Sequence, residues 1–540
     1  MRGRDLADRC PVHKKAAAAL VDSQGMQASR IGRTTVAVRP ETALRARPRL
    51  FAALEDAFPV AFSSVGAEAA IAFGSAAAGE ALPTLVFEEA GDREVDATVR
   101  LSEDAALDRR LWDLELGDLS AGGLGRVEDS ARVLAVVGAE PVWAQTPGPP
   151  ALARVAASLS ELEPSRTLRE LLDERPLAML ALIEFLRAVS AAHAHRPPPL
   201  RAAFLFDDPN LRWRTYGFID FRRLLDHAEA HGYHAAMATI PLDAGRQHRA
   251  TVELFRGNPR RLSLIYHGND HLSGELLRVG GVGEATSIVA QALRRAARVE
   301  SRYGLRVDRV MTPPHGMCSA EVASALGPLG FDALCAIHPF PWTESPPADR
   351  PLAGWEPAGF AAGCAVIPRL PLSAGRAEIA IRAYLDQPLV LYGHHDDLAG
   401  GLDLLAATAQ TVNSLGAVRW TSLGEIATSN AAVALRGSTL HVRPHSHRLR
   451  LEAHEANSIV VEGPPGTEET FDGWSDGRGR ALPFDEPVPH EEDRLEIQLV
   501  PKSPIDPYAV PAPPASAWPL LRRAATETRD RLRPLIRAGT

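Results

Sequence analysis

The chain has 540 residues, a net charge of −8 and a pI near 6.2. That length exceeds a single hydrophobic core, and the acidic balance with no basic stripe argues against a nucleic-acid partner. Cys10, Cys318, Cys335 and Cys364 lie far apart with no C-x-x-C pair, which argues against a zinc knuckle or a disulfide framework and leaves them as small buried thiols.

Residues 1–40 are polar and patternless, and are expected to be a disordered tail. Lys14 and Lys15 precede an apolar piece of only about six residues, too short for a signal-peptide core, and no run approaches the ~18 apolar residues of a membrane span. The expectation is a cytoplasmic protein without a membrane span. Over 41–150 the runs "TLVFEE", "DATVRLS" and "RVLAVVGAEPVW" predict a strand-rich mixed α/β domain that ends at "TPGPP". Residues 151–199 read as a helical connector, in which Pro176 marks a kink or a new helix start.

Between 200 and 430 short apolar runs alternate with amphipathic helices. The runs are 202–206, 235–240, 262–266, 307–311, 333–337, 365–368, 389–392 and 417–420. Strands apolar on both faces belong to a parallel sheet covered by helices, so the prediction is a distorted (β/α) barrel of seven or eight strands. Over 431–502 the period shifts to two in "STLHVRP", "HRLRLEA" and "DRLEIQLVP", which predicts an antiparallel, sandwich-like β domain. Residues 503–540 are a Pro-rich segment and a basic helix, whose charge run reads as a solvated face.

The chemistry gathers at the ends of the barrel strands. One strand leads into Asp207 and Asp208, another into "HGNDH" with His267 and His271 four apart, a third into "TPPHG", a fourth into "GHHDD". In a parallel barrel such ends converge on one mouth, so four endings of this kind predict one site, with a metal held by imidazoles and a carboxylate. By contrast, His441, His445 and His447 alternate as outward strand residues would, and "GGVGEAT" lacks the strand and lysine of a phosphate loop.

In this order "FDDPN", "HGNDH", "MTPPHG" and "LYGHH" resemble the motifs of the NodB-homology polysaccharide deacetylases, members of a glycoside hydrolase/deacetylase barrel superfamily. The resemblance covers about 230 residues and implies a metal-dependent hydrolase that removes acetyl groups from a carbohydrate or glycoconjugate, at an amide or an ester. It implies Asp207 as base, Asp208, His267 and His271 as ligands of a divalent metal of the zinc type, and His394 or His395 as the acid. The family's third motif carries an arginine that pairs with the base; "MTPPHG" has none, and Arg369 in "VIPRLPL" is the substitute expected here. Asn210, Pro314, His315 and Trp213 are expected around the substrate. Two other readings stay open: a glycoside hydrolase on the same barrel, and a carbohydrate-binding protein without catalysis.

Overall fold

Seven of the apolar runs close on one another. In a computed structural model that describes residues 32–74, 81–88, 97–119, 121–164, 166–337 and 353–538, the strands Arg201–Asp207, Ala235–Thr239, Leu262–His267, Val307–Thr312, Ala333–Ile337, Cys364–Pro371 and Leu389–Gly393 are all parallel. The first strand pairs with the second (Phe204 against Ala235) and with the seventh (Ala202 against Leu389), which shuts the barrel. The eighth run gives only the two-residue strand Arg419–Trp420, which pairs with Arg201 and Ala202 at the base of the first strand and adds no stave to the ring.

Side-chain alternation along these strands sets what the barrel contains. Ala203, Leu205, Ile265, Val310, Cys335, Ala365, Ile367 and Val390 form an inner apolar cluster, while Phe204, Phe206, Tyr266, Met311, Val366 and Leu391 join the outer core. The helix Leu423–Thr428 closes the end where the strands begin: Leu423, Ile426 and Ala427 join the inner cluster, and Arg201 reaches the Ile426 carbonyl and Asn430. Continuing the inward rows two residues further places Asp207, His267, Thr312, Arg369 and Tyr392 in one layer at the opposite mouth.

The N-terminal region is a nine-stranded mixed sheet. It begins with Thr34–Arg39, inside the segment expected to be a tail, because Val36 and Val38 are buried in it. It takes in Leu152–Ala156 as a further strand, beyond residue 150. Two helices follow: Thr167 and Glu170 form a capping box that starts Leu168–Glu174, and Pro176 opens Pro176–Ser190. The stretch 176–193 is long and apolar enough, by length and composition, to cross a membrane. Its apolarity has a local use: Leu177, Leu180, Ile183 and Leu186 are buried in the core shared with the sheet and barrel. Among the contacts that fix that core to the barrel are the Tyr384 hydroxyl on Glu184 at 2.6 Å and Arg110 on Asp386 at 2.9 Å.

Residues Ala431 to Pro501 form two four-stranded sheets packed around Val442, Ile459, Trp474 and Ile497. All pairs are antiparallel except Thr439–Pro444 with Ser458–Val461. His445 and His447 do not face outward; both are buried, with Nδ1 on the carbonyls of Ala358 and Phe331, so they join this domain to the barrel.

The final helix, Trp518–Ala538, overturns the expectation of a solvated charged face. Arg523, Glu527 and Asp530 are buried, because each finds a partner at the barrel mouth: Asp243 for Arg523, Arg212 for Glu527, Tyr216 for Asp530.

Candidate active site

Asp207 ends the first barrel strand and is 3% exposed. Both of its carboxylate oxygens accept from Arg369 Nη1, at 3.1 and 2.9 Å. The guanidinium in turn lies 4.1 Å from the centroid of the Tyr392 ring. Burial opposes the Arg369 charge, but Asp207 beside it holds the pKa above the ordinary arginine value. Arg369 therefore reaches Asp207 from the sixth strand.

Asp208 leaves the strand with φ +80°, a conformation costly for a non-glycine residue. Its Oδ1 faces two imidazoles, His271 Nε2 at 3.0 Å and His267 Nε2 at 3.5 Å. Burial pushes the Asp208 carboxyl up, but the close approach of His271 and the charge of Arg523 hold it below the usual carboxylate range. His271 also sits at positive φ, +57°. Its loop is tied by Glu275, whose carboxylate accepts the backbone N–H groups of Asn269, Asp270 and His271. Gly268 must be glycine, since its φ is +65° and a Cβ there would lie 2.6 Å from Pro314.

The donor chemistry of this trio suits a cation. His267 Nδ1 is 3.0 Å from the Thr312 carbonyl, so Nδ1 carries the hydrogen and Nε2 presents a bare lone pair to Asp208. Burial lowers the His267 pKa to about 4, so the ring is neutral at neutral pH. Asp208 Oδ1 is buried without a well-directed hydrogen bond, leaving two acceptors facing each other. The three ligand atoms lie within 4.8 Å of one another, and among the described residues they form the one group of three or more such side chains able to hold a metal ion. Separations of 3.0 and 3.5 Å are those of donors that share an ion about 2 Å from each. Two nitrogens and one oxygen fit a divalent ion of the zinc type and leave coordination positions open.

The two histidines after the seventh strand part company. His395 is buried between Tyr216, Phe218 and the final helix, with Nε2 3.7 Å from Asp530. His394 is exposed. Partial burial lowers the His315 pKa, and His271 and Arg522 lower it further. The His315 ring, with φ +60° at that residue, is 5.3 Å from that of His271. His315 thus stands beside the Asp208, His267 and His271 trio, and His395 faces the final helix.

Of the residues expected around the substrate, Pro314 is buried against Gly268 and Trp213 is 58% exposed with Arg531 over its ring. Asn210 is buried, its amide on Asp243 and its oxygen on Arg531. Glu275, Tyr392 and the final helix escape a reading of sequence. Glu275 alone had a local signal, a carboxylate four residues after His271.

No protein-family model matches this chain, and no curated protein does. Among solved structures it is similar to a protein assigned as a polysaccharide deacetylase from Mycobacterium smegmatis, with 16% identity and a TM-score of 0.32 over 43% of this chain and 92% of that one. A family 4 carbohydrate esterase from Streptomyces lividans, in complex with acetate, gives 17% and 0.27 over 45% and 99%. A CE4 esterase from Streptococcus mutans gives 16% and 0.24 over 41% and 86%. Scores this low carry nothing about activity, and the chemistry rests on the side chains at the mouth.

Proposed function

We propose that the protein is a metal-dependent hydrolase that removes an acetyl group from a carbohydrate or glycoconjugate. The observation that carries this reading is a carboxylate held by arginine, Asp207, directly beside a carboxylate that faces two imidazoles, Asp208. Asp208, His267 and His271 would hold the ion, which supplies a Lewis acid for the acetyl carbonyl and a more acidic water. Asp207 takes the proton of the attacking water at a carboxylate oxygen, and Arg369 keeps that carboxylate fixed in place. The water oxygen bonds to the acetyl carbon as the bond to the sugar nitrogen or oxygen breaks. His394, exposed after the seventh strand, donates the proton that the departing group needs. The products are acetate and the free amine or hydroxyl.

A glycosidase needs one carboxylic acid free to protonate the sugar oxygen and a second carboxylate opposite it. Here the adjacent pair is committed, one member to Arg369 and the other to the imidazoles. The test is metal analysis of protein purified without added metal, combined with acetate release from chitooligosaccharides and acetylated aryl esters. About one divalent ion per chain, sharply reduced in His267→Ala and His271→Ala, and acetate release that depends on it, are expected. Equal metal content in wild type and in a variant carrying both His267→Ala and His271→Ala would sink the reading.

A further inference from the structure

The final helix is amphipathic in an inverted sense. Its acidic residues, Glu527 and Asp530, are both buried against the barrel. Its large apolar residues Trp518, Leu520, Leu521, Leu532 and Ile536 are instead 48–65% exposed. At 100° per residue Trp518, Leu521, Ala525, Thr528, Leu532 and Ile536 fall on one outward stripe, and Arg522, Arg529 and Arg533 run along one edge of it. A stripe of this size with no apolar partner calls for an occupant.

Charge identifies the occupant. The helix carries six arginines against two acidic residues, a net +4 in a chain whose total is −8. Both acids of the helix are turned inward, so its own outward side chains are the apolar stripe and the basic rim, and from the barrel Asp396 meets that rim, bonded to Arg533. Arg529 and Arg533 keep 58% and 41% of their side chains exposed while bonded to Asp530 and Asp396. A second copy of the chain seated on this stripe would set one cationic helix against another. An anionic lipid surface complements both features, since apolar side chains enter the acyl boundary and arginines meet the headgroups. Trp213, 58% exposed with Arg531 over its ring, adds a further exposed aromatic beside the helix.

We propose that the outward face of the helix Trp518–Ala538 is a docking surface for anionic lipid, which holds the barrel mouth at a membrane surface. This inference stands on the exposed face and does not rest on the deacetylase reading. The helix remains packed on the barrel through Arg523 and Asp243 while the opposite face enters the lipid interface.

The test is flotation of the full chain with vesicles of phosphatidylglycerol and phosphatidylcholine, and with phosphatidylcholine alone. Wild type is expected to float with the anionic vesicles and to be released as salt rises. The triple variant Leu521→Glu, Leu532→Glu, Ile536→Glu is expected to bind at least ~10-fold more weakly, with an unchanged melting temperature because all three residues are exposed. Leu532→Ser alone, which adds no charge, is expected to weaken binding in the same direction. Absence of flotation at low salt, equal binding to neutral vesicles, or binding that both variants retain overturns the proposal. Light scattering that shows a dimer in wild type and a monomer in the triple variant, without flotation, also overturns it and makes the face a contact between copies.

Discussion

Arg369 Nη1 bridges both carboxylate oxygens of Asp207, at 3.1 and 2.9 Å, although the two residues are 162 positions apart. Both are almost fully buried, so neither charge has water to fall back on. Replacing Arg369 with Met leaves Asp207 as an unpaired buried carboxylate, a loss of about 3–5 kcal/mol for breaking such a pair. Calorimetry should show a lower melting temperature for Arg369→Met and a smaller decrease for Arg369→Lys, which keeps the charge but loses the planar guanidinium. A melting temperature equal to wild type in Arg369→Met would show that the pair contributes nothing.

The adjacent aspartates should separate by function. Asp208→Asn is expected to lower metal content while Asp207 keeps its arginine. Asp207→Asn is expected to keep the metal and lose turnover by about 10²–10⁴-fold, the usual contribution of a general base. Metal analysis and acetate release on the same two preparations decide it, and a metal-free Asp207→Asn protein contradicts the assignment.

His394 and His395 provide a third contrast. His394→Ala should reduce turnover with metal content and melting temperature unchanged, since the side chain is exposed. His395→Ala should loosen the final helix, because it removes the ring that faces Asp530. Limited trypsin digestion is the readout: early cleavage within 522–533 is expected for His395→Ala and not for His394→Ala.

Acid should destabilise the fold through histidines far from the site. Burial lowers the pKa of His234 to about 4 and of His445 to about 3. In the unfolded chain both titrate near 6.5, so below that pH the unfolded state binds protons that the native state refuses. Their contribution is present above about pH 6.5 and is lost as pH falls toward 4 and then 3. Asp332, raised to about 6 by burial, acts in the opposite direction, because its contribution is lost as pH rises through about 6. His445→Asn keeps a donor for the Ala358 carbonyl and removes one titrating ring, so its melting temperature should fall less between pH 6.5 and 4 than that of wild type.

The barrel was legible because two signals coincide in it. Strands buried on both faces leave continuous apolar runs, and five of the seven strands carry a polar residue at the mouth end of the inward row, as Leu205 gives way to Asp207 and Ile265 to His267. The final helix was not legible, because six arginines in 21 residues have the same composition whether they face water or counter-charges. Only the position of Asp243 and Asp530 in space decides between those cases. The strand Thr34–Arg39 was missed for a different reason: six residues after a patternless stretch give too little alternation to separate strand from coil. The positive φ values at Asp208, His271 and His315 leave no trace in residue type, because none of the three is glycine.

The contacts of Arg523 with the Asp208 carbonyl and with Asp243 span about 300 positions of sequence. During synthesis the seven strands are all available once residue 393 has left the ribosome, yet the wall of the mouth formed by Arg523, Glu527 and Asp530 does not exist until more than a hundred further residues have followed. A nascent barrel therefore presents Asp243, Tyr216 and His395 to solvent for the whole of that interval. Their final environment is set by the last helix to emerge among the described elements, so the site matures in a late step, separate from closure of the barrel that carries it.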